Sequence, residues 1–294
     1  SSINNASNAW TNAVYAGSDT TVYNENNNTI NIKSIEGTTI IAKAQKATQA
    51  EAIIAHSGGI INIEGPLYAE ASTIDGSQLG DVISTRGGAT INIGQKGEPV
   101  QLIGNIEFDY HKATSGTSVD AYTNVSLNGD GSYWVGNTVT SWDEKPGDSF
   151  LEVIDMRLNL ANGASWTPVA VNETSGTQYA PLANLNLDKG VINLNPDVNV
   201  EVDNMTGSGT VNLAADIKEG EHVGTLTAGT AKDAALDVNI TGVTSDDITA
   251  EQAKEIMSNV GSEDEELKLT GNVAEGLVNG ALNIGSDGSV SMGR

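Results

Sequence analysis

One short phrase, repeated along the chain, constrains the fold more than any other feature of the sequence. A turn rich in Gly or Asn leads into apolar–Asn–apolar and then into another turn. It reads NNNTINIKS at 26–34, GGIINIEG at 58–65, GGATINIG at 87–94, KGVINLN at 189–195, GSGTVNL at 207–213 and NGALNIGSDG at 279–288. The central asparagines are Asn31, Asn62, Asn92, Asn193, Asn212 and Asn283, with successive spacings of 31, 30 and, later, 19 residues. Weaker copies are GDGSYWVG at 129–136 and NGASWTP at 162–168. Alternation with period two puts the flanking apolar side chains on one face of a strand and the asparagine on the other. The Gly and Asn at either end accept positive φ, so the chain can turn a sharp corner there.

Strands this short, separated by such corners, suit the turns of a solenoid, where each turn buries its apolar side against its neighbours. The expectation is an all-β solenoid with parallel strands, with a β-sandwich carrying Asn-rich loops as the competing architecture. At about 20–30 residues per turn the chain makes roughly 10–13 turns, a rod of about 50–60 Å. Only 13 of the 294 residues are aromatic, which fits a narrow interior of stacked Ile, Val and Leu.

One stretch breaks the alternation. TSDDITAEQAKEIMSNVGSEDEE at 244–266 carries a capping box, Thr249 with Gln252, and acidic residues at the positive end of a helix. Ile248, Gln252, Ile256 and Val260 fall on one stripe. This predicts a short α-helix over 249–260, inserted on the surface near the C-terminus, followed by an acidic loop at 263–266. The remaining organisation is 1–150 as solenoid turns, with a less regular aromatic-rich part at 105–150, then 151–243 as a second run of turns, and 267–294 as final strands or a cap.

Charge excludes one class of partner. Fourteen basic residues face 38 acidic ones, a formal net charge of −24, and there are only three arginines. Nucleic acid and anionic membrane surfaces are held by Lys and Arg, so neither is an expected partner. No run approaches the roughly 20 apolar residues of a membrane-spanning helix. There is no cysteine, and the first 20 residues lack the apolar core of a signal peptide. The expectation is that either a signal has been removed or the chain is an excised fragment, which its abrupt start and end suit.

From 157 to 243 the order of phrases becomes specific: RLNLANGASWTP, LANLNLDKGVINL, VDNMTGSGTVNLAADI, VGTLTAGTA and LDVNITGV. This resembles the pertactin-like C-terminal part of bacterial autotransporter passengers. Ala164 and Trp166 match that family's small–x–Trp pair. Gly207 and Gly209 match its paired glycines, Met205 stands where leucine is usual, and Asp216 follows. The resemblance is close over about 90 residues and only one of style upstream. It implies a right-handed parallel β-helix, displayed at the cell surface or secreted through the outer membrane of a Gram-negative bacterium and held by its own outer-membrane β-barrel. It further implies that the C-terminal segment is an autochaperone. Lack of cysteine accords with export in an unfolded state. The physical reading of Trp166 is that it covers the open end of the apolar column.

Catalytic chemistry finds little footing. His56 and Ser149 faintly echo a triad, but Phe150 follows the serine where an oxyanion turn needs glycine. An esterase reading of Ser149 lacks its D-x-x-H, with only Glu219 and His222 downstream. A polysaccharide lyase or glycosidase on a β-helix needs clustered carboxylates. Asp81, Glu98, Glu107 and Asp109 are candidate exposed acids, with Arg86 near in sequence. His56, His111 and His222 stand without partners at metal-ligand spacing. NGDGS at 128–132 and GSDGS at 285–289 resemble pieces of calcium loops but read better as turns. No cofactor is expected.

Binding is expected from the stretch 105–150, which holds seven of the 13 aromatic residues. Tyr110, Tyr122, Tyr133, Trp134 and Trp142 are its candidate contact residues, since aromatics concentrate in contact patches. The function expected is a non-enzymatic surface adhesin that associates with itself in trans or attaches to a host surface protein or glycan. A carbohydrate-active enzyme and a structural stalk with an export-templating role are the alternatives.

Overall fold

The computed structural model describes residues 2–5, 10–17, 28–109, 121–140, 154–174, 177–244, 246–273, 282–284 and 290–292. They form a parallel β-solenoid of about seven turns, with a short helix near the C-terminus. The count is lower than the repeat spacing predicts. Corners and a third side consume residues, so successive turns over the first half take 31, 30 and 32 residues.

Three columns of strands build the first half. The first stacks Thr29–Lys33, Ile60–Glu64, Thr90–Ile93, Ala121–Asn128 and Ile154–Ala161 in parallel register. The second stacks Thr38–Ala44, Leu67–Thr73, Val100–Ile103, Tyr133–Val135 and Ser165–Thr167. The third stacks Thr11–Ala16, Ala50–Ala55, Asp81–Arg86, Asn105–Asp109 and Thr138–Thr140. It ends where Gln178–Tyr179 pairs antiparallel with Thr140 and Val139. Beyond that point the turns lose their third side. Leu182–Leu194 and Asn199–Asp216 are strands of 13 and 18 residues that run through the corner between the first two columns.

Alternation sets the core as expected. Ile63, Ile93 and Val125 stack inward on the first column, while Ala69, Leu102, Trp134, Trp166 and Ile192 stack on the second, all buried. Corners depend on glycine in particular places. At Gly65 φ is 94°, and a Cβ would lie 1.9 Å from the Ser34 carbonyl oxygen. At Gly207, one of the paired glycines, φ is 83° and the corresponding approach to the Leu187 oxygen is 1.8 Å.

Trp166 is not an end cap. Its indole lies parallel to that of Trp134 on the preceding turn, with centroids 5.1 Å apart and planes 4° from parallel. Ile192 of the next turn follows it. Each indole N–H donates to a glycine carbonyl 30 residues earlier, Trp134 to Gly104 at 2.8 Å and Trp166 to Gly136 at 3.0 Å. The pair fills the middle of the column because both indole N–H groups find acceptors on a close-packed glycine corner.

The helix spans Ala250–Met257 with Thr249 as N-cap, and both hydrogen bonds of the capping box are made. Its buried face is Ile248, Ala253, Ile256 and Val260, not the stripe through Gln252. Gln252 is exposed because its amide is committed to the cap. The helix links the strands Ala234–Thr241 and Val260–Ser262. Lys268–Val273 is the last parallel strand, and Leu282–Ile284 pairs antiparallel with it. Strand pairing is continuous across residue 150, since Ala121–Asn128 pairs along its whole length with Ile154–Ala161. Among the described residues no helix is long and apolar enough to cross a membrane.

Candidate functional site

The outward faces carry hydrogen-bonded ladders of side chains. On the first column the Asn62 amide donates to Asn31 Oδ1 at 2.9 Å, Asn92 to Asn62 at 2.8 Å, and Asn124 to Asn92 at 2.9 Å. Farther along that column Asn159 donates to Ser126 Oγ, Asn186 to Asn159, and Thr206 to Asn186. On the second column Asn193 donates to Thr167 Oγ1, Asn212 to Asn193, and Asn239 to Asn212. The motif asparagines therefore divide between two faces, and Asn283 lies where side chains are outside the described set. Asn124, Asn159, Asn186 and Asn239 escape a motif defined by flanking glycine. The alternation TNV, LNL and VNI around them is the signal that finds them.

Charge is distributed along the turns in the same way. Glu64 lies 2.9 Å from Lys96 and 3.4 Å from Lys33, on the turns either side. The Lys96 ammonium holds the Glu64 carboxyl below its ordinary range, chiefly by hydrogen bonding. Both pairs are exposed to solvent, where such contacts contribute little stability.

The third column holds a different cluster. Glu51, Asp81 and Glu107 are 3%, 5% and 5% exposed, and one carboxylate oxygen from each lies within 4.8 Å of the others. Parallel register makes the arrangement: Glu51 stands beside Asp81, Asn105 beside Asp81, and Glu107 beside Ser84. Ser84 donates to Glu107 at 2.7 Å, and the Arg86 guanidinium is 3.6 Å from the same oxygen. Two of the acids expected to be exposed, Asp81 and Glu107, are thus buried. The strands that carry Glu51 and Asp81 are covered on both faces, unlike those of the other columns. Glu98 is on a corner away from this group, and the Asp109 side chain is outside the described set. Among the described residues this is the one grouping of three potential metal ligands. A donor set of carboxylate oxygens suits hard cations such as Ca²⁺ or Mg²⁺ better than zinc.

A cleft of about 480 Å³ opens above Asp81 and Asn105. Its walls are corner excursions from three separate turns: the 3-10 turn Ala47–Gln49, the loop after Thr73, and the residues 169–174 with Thr177. A second depression of about 310 Å³ shares Gln45, Ser77 and Gln78 with the first. The loop after Thr73 is held rigid. Asp75 Oδ1 accepts from Thr73 Oγ1 at 2.7 Å, Ser77 Oγ at 2.8 Å and the Ser77 N–H at 3.0 Å. These bonds, that from Thr73 foremost, bring the Asp75 carboxyl down to about 2. Asn137 donates to the Val169 carbonyl at 3.1 Å and fixes the third wall.

The aromatic candidates are scattered by the fold. Trp134 is fully buried and belongs to the core, so it is not a contact residue. Tyr122 is 38% exposed on the first column and Tyr133 is half-buried on the second. Tyr110, Trp142, Ser149 and His111 lie outside the described residues. His56 meets the ring of Tyr15 edge-on at 5.4 Å, and His222 pairs with Asp197 at 3.1 Å. NGDGS forms a turn, with Ser132 N–H donating to the Gly129 carbonyl at 3.0 Å.

No family model, curated protein or solved structure matches this chain.

Proposed function

We propose that this chain is a non-enzymatic adhesive rod, the passenger region of an exported surface protein, which holds surfaces together through its outward asparagine ladders. The observation that carries this reading is the unbroken series Asn31–Asn62–Asn92–Asn124. A side-chain amide has two N–H donors and an oxygen with two lone pairs. Each interior member of the ladder uses one donor and one lone pair on its neighbours. The other donor and lone pair remain for a partner, repeated at about 4.8 Å intervals. Single contacts of this kind are weak, and a rigid array of them engages a second rod or a host surface cooperatively. Buried Ala164 and Trp166, with Gly207 at a corner, support the resemblance to autotransporter passengers. In that reading the rod is carried by an outer-membrane barrel of the same protein.

Beads coated with the purified chain provide the test. They are expected to clump, and to clump faster as salt screens the repulsion between rods of charge −24. Dispersed beads that also ignore host cells, from low to physiological salt, would refute the proposal.

The carboxylates at Asp81, Glu51 and Glu107 favour a second reading, a glycan-cleaving enzyme. Carboxyl groups about 5 Å apart flank the scissile bond in retaining glycosidases, and Asp81 lines the cleft. Release of sugar products from a glycan panel, abolished by Asp81→Asn, would establish it in place of the first.

A further inference from the structure

The cleft above Asp81 is separate from the asparagine ladders and has its own chemistry. We infer that it is a binding site for an uncharged sugar, the terminal unit or two of a neutral glycan. This deepens the adhesive reading and rests on it, because it gives attachment to a host glycan a specific seat.

Volume is the first argument. About 480 Å³ falls within the range of small-molecule sites, and the adjoining depression of about 310 Å³ extends it. The second is the lining. Gln45, Gln78 and Asn172 present side-chain amides, Asn105 the N–H groups of an amide whose oxygen accepts from Asn137 N–H, Thr48 a hydroxyl and Lys46 an ammonium. Groups that both donate and accept match a ligand whose hydroxyls do the same. At the rim of the second depression Ile74 is 40% exposed, an apolar surface suited to the C–H face of a pyranose ring.

Charge selects within the sugars. Asp81 lies on the floor, 5% exposed, with carboxylate oxygens of Glu51 and Glu107 behind it. A carboxyl group there hydrogen-bonds a sugar hydroxyl in either protonation state, accepting when ionised and donating when protonated. The net charge of −24, set against the single ammonium of Lys46 in the lining, disfavours sialylated, sulfated or uronic sugars. The site is also preorganised. The Asp75 bonds and the Asn137 contact to Val169 hold two of its three walls before any ligand arrives, so little ordering entropy remains to oppose binding.

The test is saturation-transfer NMR and titration of the full chain with neutral oligosaccharides. The panel ends in galactose, glucose, mannose or N-acetylglucosamine, and is set against sialyllactose, an oligogalacturonate and calcium chloride alone. At least one neutral sugar is expected to bind. Gln45→Ala and Gln78→Ala, both on the outer wall, should each weaken it about three- to tenfold, the worth of one neutral hydrogen bond. Thermal melting and bead clumping should stay as in the parent. Asp81→Asn should weaken binding further; if that variant fails to fold, the two wall variants decide. Failure of every neutral sugar, binding indifferent to both wall variants, preference for the anionic sugars, or response to calcium alone would each overturn the inference. Clumping beads without sugar binding would overturn the inference and leave the adhesive reading standing. Beads that neither clump nor take up host cells, from a chain that still binds sugar, would overturn the adhesive reading instead. Cleavage of the bound sugar would overturn the inference as a binding-only site.

Discussion

Replacing Trp134 by alanine separates an interior role from a contact role, and its cost follows from the geometry. The indole is fully buried, lies parallel to Trp166 at 5.1 Å, and donates to the Gly104 carbonyl at 2.8 Å. Deleting a buried Trp side chain costs about 3–5 kcal/mol, because the cavity left behind collapses only in part. Within that total the aromatic pair contributes about 0.5–1.5 kcal/mol and the hydrogen bond a similar amount. A surface aromatic would cost within about 0.5 kcal/mol. Urea unfolding measures the difference, followed by far-UV circular dichroism for the whole chain and near-UV for the indole pair. Both midpoints should fall for Trp134→Ala. A cycle of Trp134→Leu and Trp166→Leu, which removes the rings, should show coupling of about 0.5–1.5 kcal/mol, since the two indoles stack. A loss under about 1 kcal/mol with both spectra intact, or additive single substitutions, would refute the placement and return Trp134 to the surface.

Gly207→Ala should destabilise by several kcal/mol: a Cβ would lie 1.8 Å from the Leu187 oxygen, and φ of 83° alone costs roughly 1–2 kcal/mol. An unchanged melting temperature would contradict that corner. Asn92→Ala removes the link between Asn62 and Asn124 and should cost about 1–3 kcal/mol for the two bonds while slowing bead clumping; clumping unaltered by Asn92→Ala and Asn62→Ala together would remove the first ladder from adhesion. Thr249→Ala should cost about 0.5–2 kcal/mol and speed amide exchange in the first turn of the helix, while exchange at the parent rate would mean the capping box is idle. His222 is hydrogen-bonded to the Asp197 carboxylate, which raises its pKa. Its contribution to stability is therefore full below the ordinary value of about 6.5 and fades as pH rises through the raised one. An NMR titration should place His222 above that value and Asp197→Asn should bring it back; identical curves would refute the pair.

Much of the architecture is legible in the sequence because it depends on near neighbours. Ile61, Asn62 and Ile63 reveal inside and outside by alternation alone, and Thr249 with Gln252 marks the helix start from a spacing of three. Gln252 departs from the apolar stripe for a local reason too, since one amide cannot serve both the cap and the core. The contact residues were less legible. Trp134 and Tyr133 are adjacent in sequence, and alternation sends one into the core and the other out. Composition, which drew attention to both, is blind to that difference.

The clusters are another matter. Glu51, Asp81 and Glu107 are 30 and 26 residues apart, and no short motif joins them. Strand alternation by itself determined that this chain coils, that its isoleucines face inward and that its asparagines face outward. Only the tertiary structure decided which side chains meet. Turns of 30–32 residues in the first half become turns of 19 and 27 later. Each corner's length therefore sets which residue of one strand stands beside which of the next. Register across a parallel pair is fixed by backbone hydrogen bonds over the whole turn. That is why asparagine ladders, a stacked indole pair and a buried carboxylate group all emerge from residues some 20 to 30 positions apart, with no sign of one another along the chain.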